Sequence, residues 1–286
     1  MSMTLSEISS MFGAGTSSGS TTTSLLGTLY GYTSTGASTS SVNPVTALNT
    51  AELNQTQDIA ATAADPAVAR AVNAFNKAVT GATSVQQLLN NPSVMQVLLT
   101  ANGLADQIPY TALAQKALMS DTTNSSSLAN TLSDTRWKPV AQTYDFANKG
   151  LSVIQSPSVI STIDNAYAEV TWRHSLDATT PGLSNALTFR AKASTITSVD
   201  QILGDPIMRT VVTTALGIPL QIAFQSLPAQ EKSITSQLDI TQFQKPQFVD
   251  SFVQRYLIAM NTNASTSTTT TPSLASLAVQ AQGLLV

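Results

Sequence analysis

Apolar residues recur along the middle of the chain with a helical period. Val94, Val97, Leu98 and Ala101 follow i, i+3, i+4, i+7, and Met208, Val211, Val212 and Ala215 repeat that spacing further on. Val159, Ile163, Ala166 and Val170 form another stripe, which predicts a helix from 157 to about 176. Phe248, Phe252 and Tyr256 stand four apart and predict an aromatic packing face. No sustained alternation appears. The exception is the Thr-rich ASTITSV at 193–199, the one stretch that could pair as a short strand.

Helix punctuation brackets these stripes. TSVQQLLNNP at 83–92 returns as TSVDQILGDP at 197–206. Ser84 with Gln87, and Ser198 with Gln201, have the spacing of a capping box, in which hydroxyl and amide satisfy each other's backbone N–H groups. Asn91-Pro92 and Asp205-Pro206 then predict a capped restart, because proline at the first helical position loses no hydrogen bond. Gly103 and Gly217 mark left-handed stops. Without a gap, Phe75–Leu113 aligns on Phe189–Leu227 with 14 of 39 positions identical, so one helical unit is written twice. Lys138-Pro139 and Lys245-Pro246 continue the correspondence at a shorter offset, the difference falling in the polar SDTTNSSS at 120–127. Ser156 and Pro157 open the helix between the copies, and upstream two helices break at Asp65-Pro66.

The expected fold is all-α: two related multi-helix repeat lobes joined by a long helix, with Ser/Thr/Gly-rich tails. The divisions are a tail with a short apolar helix (1–44), repeat lobe 1 (45–150), a connecting helix and loop (151–184), repeat lobe 2 (185–260), and a linker with a short apolar helix (261–286). The first apolar helix is expected around Leu5, Ile8, Met11 and Phe12, the last around Leu274, Leu277, Ala281 and Leu284. Both segments are expected to order against a partner or to fray, since isolated helices this short are marginal in water.

Charge sharpens this division. Only 10% of residues are charged, against roughly 25% in an average domain. None lies between Glu7 and Glu52 or after Arg255. The net charge of −3 gives no electrostatic basis for nucleic-acid binding. The absence of cysteine excludes disulfides, thiol catalysis and thiolate metal sites. The opening MSMTLSEISSMFG lacks the basic residue and apolar run of a Sec signal peptide, and no apolar stretch is long enough for a membrane helix.

Candidate chemistry is sparse. GTSSG at 15–19 matches the nucleophile-elbow spacing but lies in a Ser/Gly tract without a strand before it. The single histidine, His174, has Glu169 and Asp177 in reach along a helix, which gives either an acid/base site or a surface laced by local ion pairs with Arg173. Trp137 and Trp172 fit core positions by their helical spacing, with the lining of a groove as the alternative. Gln107 and Gln221 occupy equivalent positions and suit a hydrogen bond to a helix end or a duplicated ligand site. No catalytic, cofactor-binding or metal-ligating residue is assigned, and no cofactor is expected.

The stretches TSVQQLLNNPSVMQVLLTANGL, SLANTLSDTRWKPVAQTYDF and TSVDQILGDPIMRTVVTTALGI resemble the alphaproteobacterial family "domain of unknown function number 1217", over roughly residues 45–260. The resemblance implies a repeated helical unit and a role beside flagellar genes, with no catalytic residues to carry over. The expectation is therefore a non-enzymatic flagellum-associated protein, exported in the favoured reading, whose partner is a flagellar component. A cytoplasmic adaptor holding a flagellar subunit between the lobes is the alternative, and an enzyme using His174 a further one.

Overall fold

The computed structural model describes residues 43–267. Among them the chain is all-helical, with no strand, so ASTITSV does not pair. Ala193–Thr195 instead forms one 3₁₀ turn that runs into the cap at Ser198. The terminal helices expected around Leu5 and Leu277 lie outside the described residues.

Fourteen α-helices follow one another among the described residues. α1 (Pro44–Ala64) and α2 (Pro66–Gly81) meet at Asp65, whose carboxylate accepts from the Ala67 N–H at 2.7 Å while Pro66 opens the new helix. α3 (Val85–Leu89) and α4 (Pro92–Ala101) make a corner around Asn91. A 3₁₀ segment, Ala105–Tyr110, leads to α5 (Thr111–Leu118), α6 (Leu128–Thr131), α7 (Trp137–Tyr144) and α8 (Phe146–Lys149). α9 (Pro157–Leu176) follows, then α10 (Leu183–Lys192). α11 (Val199–Gly204) and α12 (Pro206–Leu216) make a second corner around Asp205, before α13 (Leu227–Thr235) and α14 (Pro246–Ser267).

The two corners are held by the same local chemistry. Ser84 Oγ accepts from the Gln87 N–H at 3.1 Å, and Ser198 Oγ from the Gln201 N–H at 3.3 Å. At Ser198 the box is complete, because Gln201 Oε1 accepts from the Ser198 N–H at 3.1 Å. At Ser84 the Gln87 amide turns one residue back, to the Thr83 N–H at 2.9 Å. Both following helices end in paired turns closed by glycine: Leu104 N–H reaches Leu99 O and Ile218 N–H reaches Thr213 O, each at 2.8 Å. Gly103 and Gly217 have φ of 72° and 68°, a region that costs any residue with a Cβ. Ser156 stands at the start of α9, but its hydroxyl bonds Ser158 Oγ instead of capping.

Buried apolar residues form two clusters. The first gathers Phe75, Leu88, Val97, Leu98, Trp137 and Tyr144, among others, from α2 to α9. The second gathers Phe189, Ile202, Val211, Val212, Phe252 and Tyr256 with further residues of α10 to α14. In the second, Phe189, Phe243 and Phe252 pack with ring centroids 5.2–5.7 Å apart. α9 serves both clusters, contributing Ile163, Tyr167 and Ala168 to the first and Trp172 to the second. α1, which the sequence groups with lobe 1, buries Leu48 and Ala51 in the second cluster instead. There Arg190 of α10 pairs with Glu52 of α1 and, at 3.1 Å, with Asp250 of α14. Ala166 and Val170 of the predicted α9 stripe are only half-buried, because they face a groove.

Candidate functional site

The two clusters leave an open groove of about 1060 Å³ between them. One wall comes from the end of α4 and the start of α7, the other from α11 and the start of α12. α9 and α10 form the floor, with Val170, Arg173 and Lys192 among the lining residues. The segments that carry the two walls touch where the Thr135 N–H donates to the Gly204 carbonyl at 3.2 Å. A Cβ on Gly204 would stand 2.4 Å from Thr135 Cγ2 and 2.7 Å from Ser133 O, so glycine is what allows this approach. The aligned position in the first corner, Asn90, carries a side chain that accepts from Gln115 at 3.0 Å.

Arg136 anchors the first wall and is buried. Its Nη1 donates to the Gly103 carbonyl at 2.7 Å, and its guanidinium makes two hydrogen bonds to each of Asp106 and Asp134. This fork uses the planar geometry of arginine in full. For Asp106, burial works against the charge, but the hydrogen bonds and attraction of Arg136, with Gln107 helping, hold the carboxyl below its usual range. The same two acids outweigh desolvation at Arg136 and keep it firmly charged. Gln107 is thus spent on Asp106 at 2.7 Å and does not reach a helix end.

On the floor, Arg173 pairs with Glu169 one turn back on α9. Glu169 also accepts from Gln55 of α1 at 3.4 Å. Arg173 Nη1 reaches Thr188 of α10 at 3.4 Å, and its Nε is buried with no hydrogen-bond partner. Asp177 accepts from the Ser184 N–H at 3.0 Å and from the Ser184 hydroxyl, satisfying the start of α10. His174 is exposed at the groove edge and bonds neither Glu169 nor Asp177. The structure therefore gathers His174, Glu169 and Arg173 along one groove, but commits each carboxylate elsewhere. Trp137 and Trp172 are both core residues, 1% and 3% exposed.

Lys192 is the floor residue that the sequence pattern did not single out. It is half-buried, and its Nζ lies 3.7 Å from where a side chain on Gly103 would begin, on the opposite wall. Among the described residues no carboxylate comes within ion-pair distance of it. Burial pushes its ammonium below the usual lysine range; Asp205 opposes this, while Arg136 and Arg173 add to it. Among the described residues no cluster of His and carboxylate side chains could hold a metal ion. No helix there is long and apolar enough to cross a membrane.

Helices around a polar-floored groove define an all-α protein with a preformed cleft. The chain belongs to the family described as "Protein of unknown function (DUF1217)", whose model matches residues 101–249. It is similar in fold to the crystal structure of protein AGR_C_984 from Agrobacterium tumefaciens, with 22% identity and a TM-score of 0.65 over 79% of this chain and 97% of that one. No curated protein matches the sequence.

Proposed function

We propose that this protein is a non-enzymatic component of flagellar structure or assembly that works by holding a segment of another protein in the groove. The carrying observation is the groove itself: about 1060 Å³, open, floored by Ala166 and Val170 as well as by charged groups. Of the acids that line it, Asp106 is held by Arg136, Glu169 by Arg173 and Asp205 by the start of α12, and none of the described carboxylates bonds His174 for proton transfer. The flagellar assignment rests on the resemblance described above. In this reading the two clusters are related lobes strung on α9, the tails at 1–44 and 261–286 supply further contacts, and the partner is a flagellar protein.

A photo-crosslinking residue at Val170, expressed in motile cells, tests the groove; the same residue at Leu53, 86% exposed on the outer side of α1, is the control. A flagellar protein trapped at Val170 and not at Leu53 is the expected result. Absence of any product specific to Val170 overturns the groove reading, and a product unrelated to flagella overturns its assignment. Immunoblots of cells, culture supernatant and purified flagella, with and without a working export apparatus, then separate an exported part from a retained adaptor.

A further inference from the structure

We propose that Lys192, with Arg173 beside it on the groove floor, is a subsite for one carboxylate group, carried by a side chain of the bound protein segment. The proposal rests on the protein-binding reading above and gives that site its chemistry.

Geometry brings the two cations together. Arg173 reaches Thr188, and Lys192 lies one turn further along α10 on the same face, where residues four apart are roughly 5–6 Å apart at Cβ. Lys192 extends across the floor toward Gly103, whose carbonyl is already taken by Arg136. The ammonium has three N–H donors and no hydrogen bond from its side chain to any described residue, and the Arg173 Nε is also unpartnered. An unsatisfied charged donor withdrawn from water, as the Arg173 Nε is, is costly, and the Lys192 ammonium lines the same groove with its donors open to a ligand.

The neighbouring acids do not relieve them. Asp205 Oδ1 accepts from the Ile207 and Met208 N–H groups at 2.8 and 3.3 Å, at the start of α12. Glu169 is held by Arg173, and Asp106 and Asp134 are held by Arg136. Lys192 also departs from the duplicated pattern, since Ala78 is the residue aligned with it in the first copy. The internal packing of the helical unit therefore does not require a lysine there.

The charge count favours a carboxylate over phosphate. Two lysines line the groove with no hydrogen bond from the ammonium to a described residue, Lys192 on the floor and the exposed Lys138 on the first wall, while Arg136 has all its donors engaged. Asp106, Glu169, Asp200 and Asp205 line the same groove and repel a dianion more strongly than a monoanion. A glutamate or aspartate side chain flanked by apolar residues fits both the cationic floor and the Ala166–Val170 strip.

The test uses the full chain at constant ionic strength, titrated calorimetrically with acetate, with inorganic phosphate, and with the capped peptides Ala-Leu-Glu-Leu-Ala and Ala-Leu-Gln-Leu-Ala. Lys192→Met keeps the bulk of the side chain and removes its charge. Expected are saturable acetate binding, weaker phosphate binding, and at least tenfold preference for the Glu peptide over the Gln peptide. Lys192→Met should lose both acetate binding and the preference, while melting no lower than the wild type. Equal behaviour of Lys192→Met and wild type, or no saturable carboxylate binding in the wild type, overturns the subsite. A Lys192→Met protein that melts lower and shows no carboxylate effect marks the lysine as structural and also overturns it. Acetate held through Lys192 with no protein trapped at Val170 leaves the subsite standing and removes the protein-partner reading. A partner trapped equally well by Lys192→Met removes the subsite alone.

Discussion

The Thr135 N–H and the Gly204 carbonyl, 3.2 Å apart, are joined by a hydrogen bond beside the groove that Thr135 lines. It links a loop of the first cluster to the corner of the second. That contact exists because residue 204 has no side chain.

Replacing Gly204 by Ala places a methyl group 2.4 Å from Thr135 Cγ2 and 2.7 Å from a backbone oxygen, neither of which can yield without moving the loop. The expected loss is about 1–3 kcal/mol of unfolding free energy, the usual result of overpacking. Urea denaturation measures it, and an unchanged midpoint would mean that the two walls do not meet as described.

Arg136→Met should cost roughly 1.5–3 kcal/mol, the scale of losing hydrogen bonds to charged groups. Half-exposure of Asp106 places the effect below that of a fully buried ion pair. The pH dependence has a definite sign. Asp106 has a carboxyl held below the ordinary aspartate value of about 3.9, so its contribution is present above about that pH and is lost as pH falls through the lower folded value. Acid titration of wild type and Asp106→Asn should therefore converge at the acid end and diverge above pH 4.

Ser198→Ala removes a complete capping box and should cost about 1 kcal/mol. Ser84→Ala, which removes the hydroxyl bond but leaves the Gln87 amide on Thr83, should cost no more than that. Paired chemical denaturation curves compare the two. A larger loss at Ser84 would contradict the capping geometry.

His174→Gln should change stability by less than about 0.5 kcal/mol, because the imidazole is exposed and bonds neither nearby carboxylate. Motility should also be unaffected. Trp172→Ala, by contrast, empties a 3%-exposed position in the second cluster and should cost about 3–5 kcal/mol. A motility defect from His174→Gln in a folded protein would revive the acid/base alternative.

Much of the local structure was legible in the sequence, although the Ser156 hydroxyl turns to Ser158 and Gln87 to Thr83. Ser198, Asp205-Pro206 and Gly217 specify a cap, a restart and a stop within twenty residues, and each behaves accordingly in the structure. The groove was not legible, because its parts are distant in sequence and each looks ordinary alone. Arg136 reads as one charge in a polar loop, and Lys192 as one more basic residue near a helix end. A signal was nonetheless available: aligned copies differ where Ala78 becomes Lys192, which lines the groove, and where Asn90 becomes Gly204, which packs against Thr135. The placement of Leu48 and Ala51 was hidden for a different reason. α1 adjoins α2 in sequence, and only the turn at Asp65 decides which cluster its first half meets.

That placement sets the order in which the protein can be completed during synthesis. Leu48 and Ala51 pack with Val249, Val253 and Leu257, which leave the ribosome roughly 200 residues later. At the 5–20 residues per second typical of translation, this leaves the part of α1 that meets α14 uncovered for on the order of 10–40 s, although α9 and α10 can reach α1 sooner. The first cluster draws on α2 to α9 and can assemble during that interval. The second closes only when its last helix returns to the first.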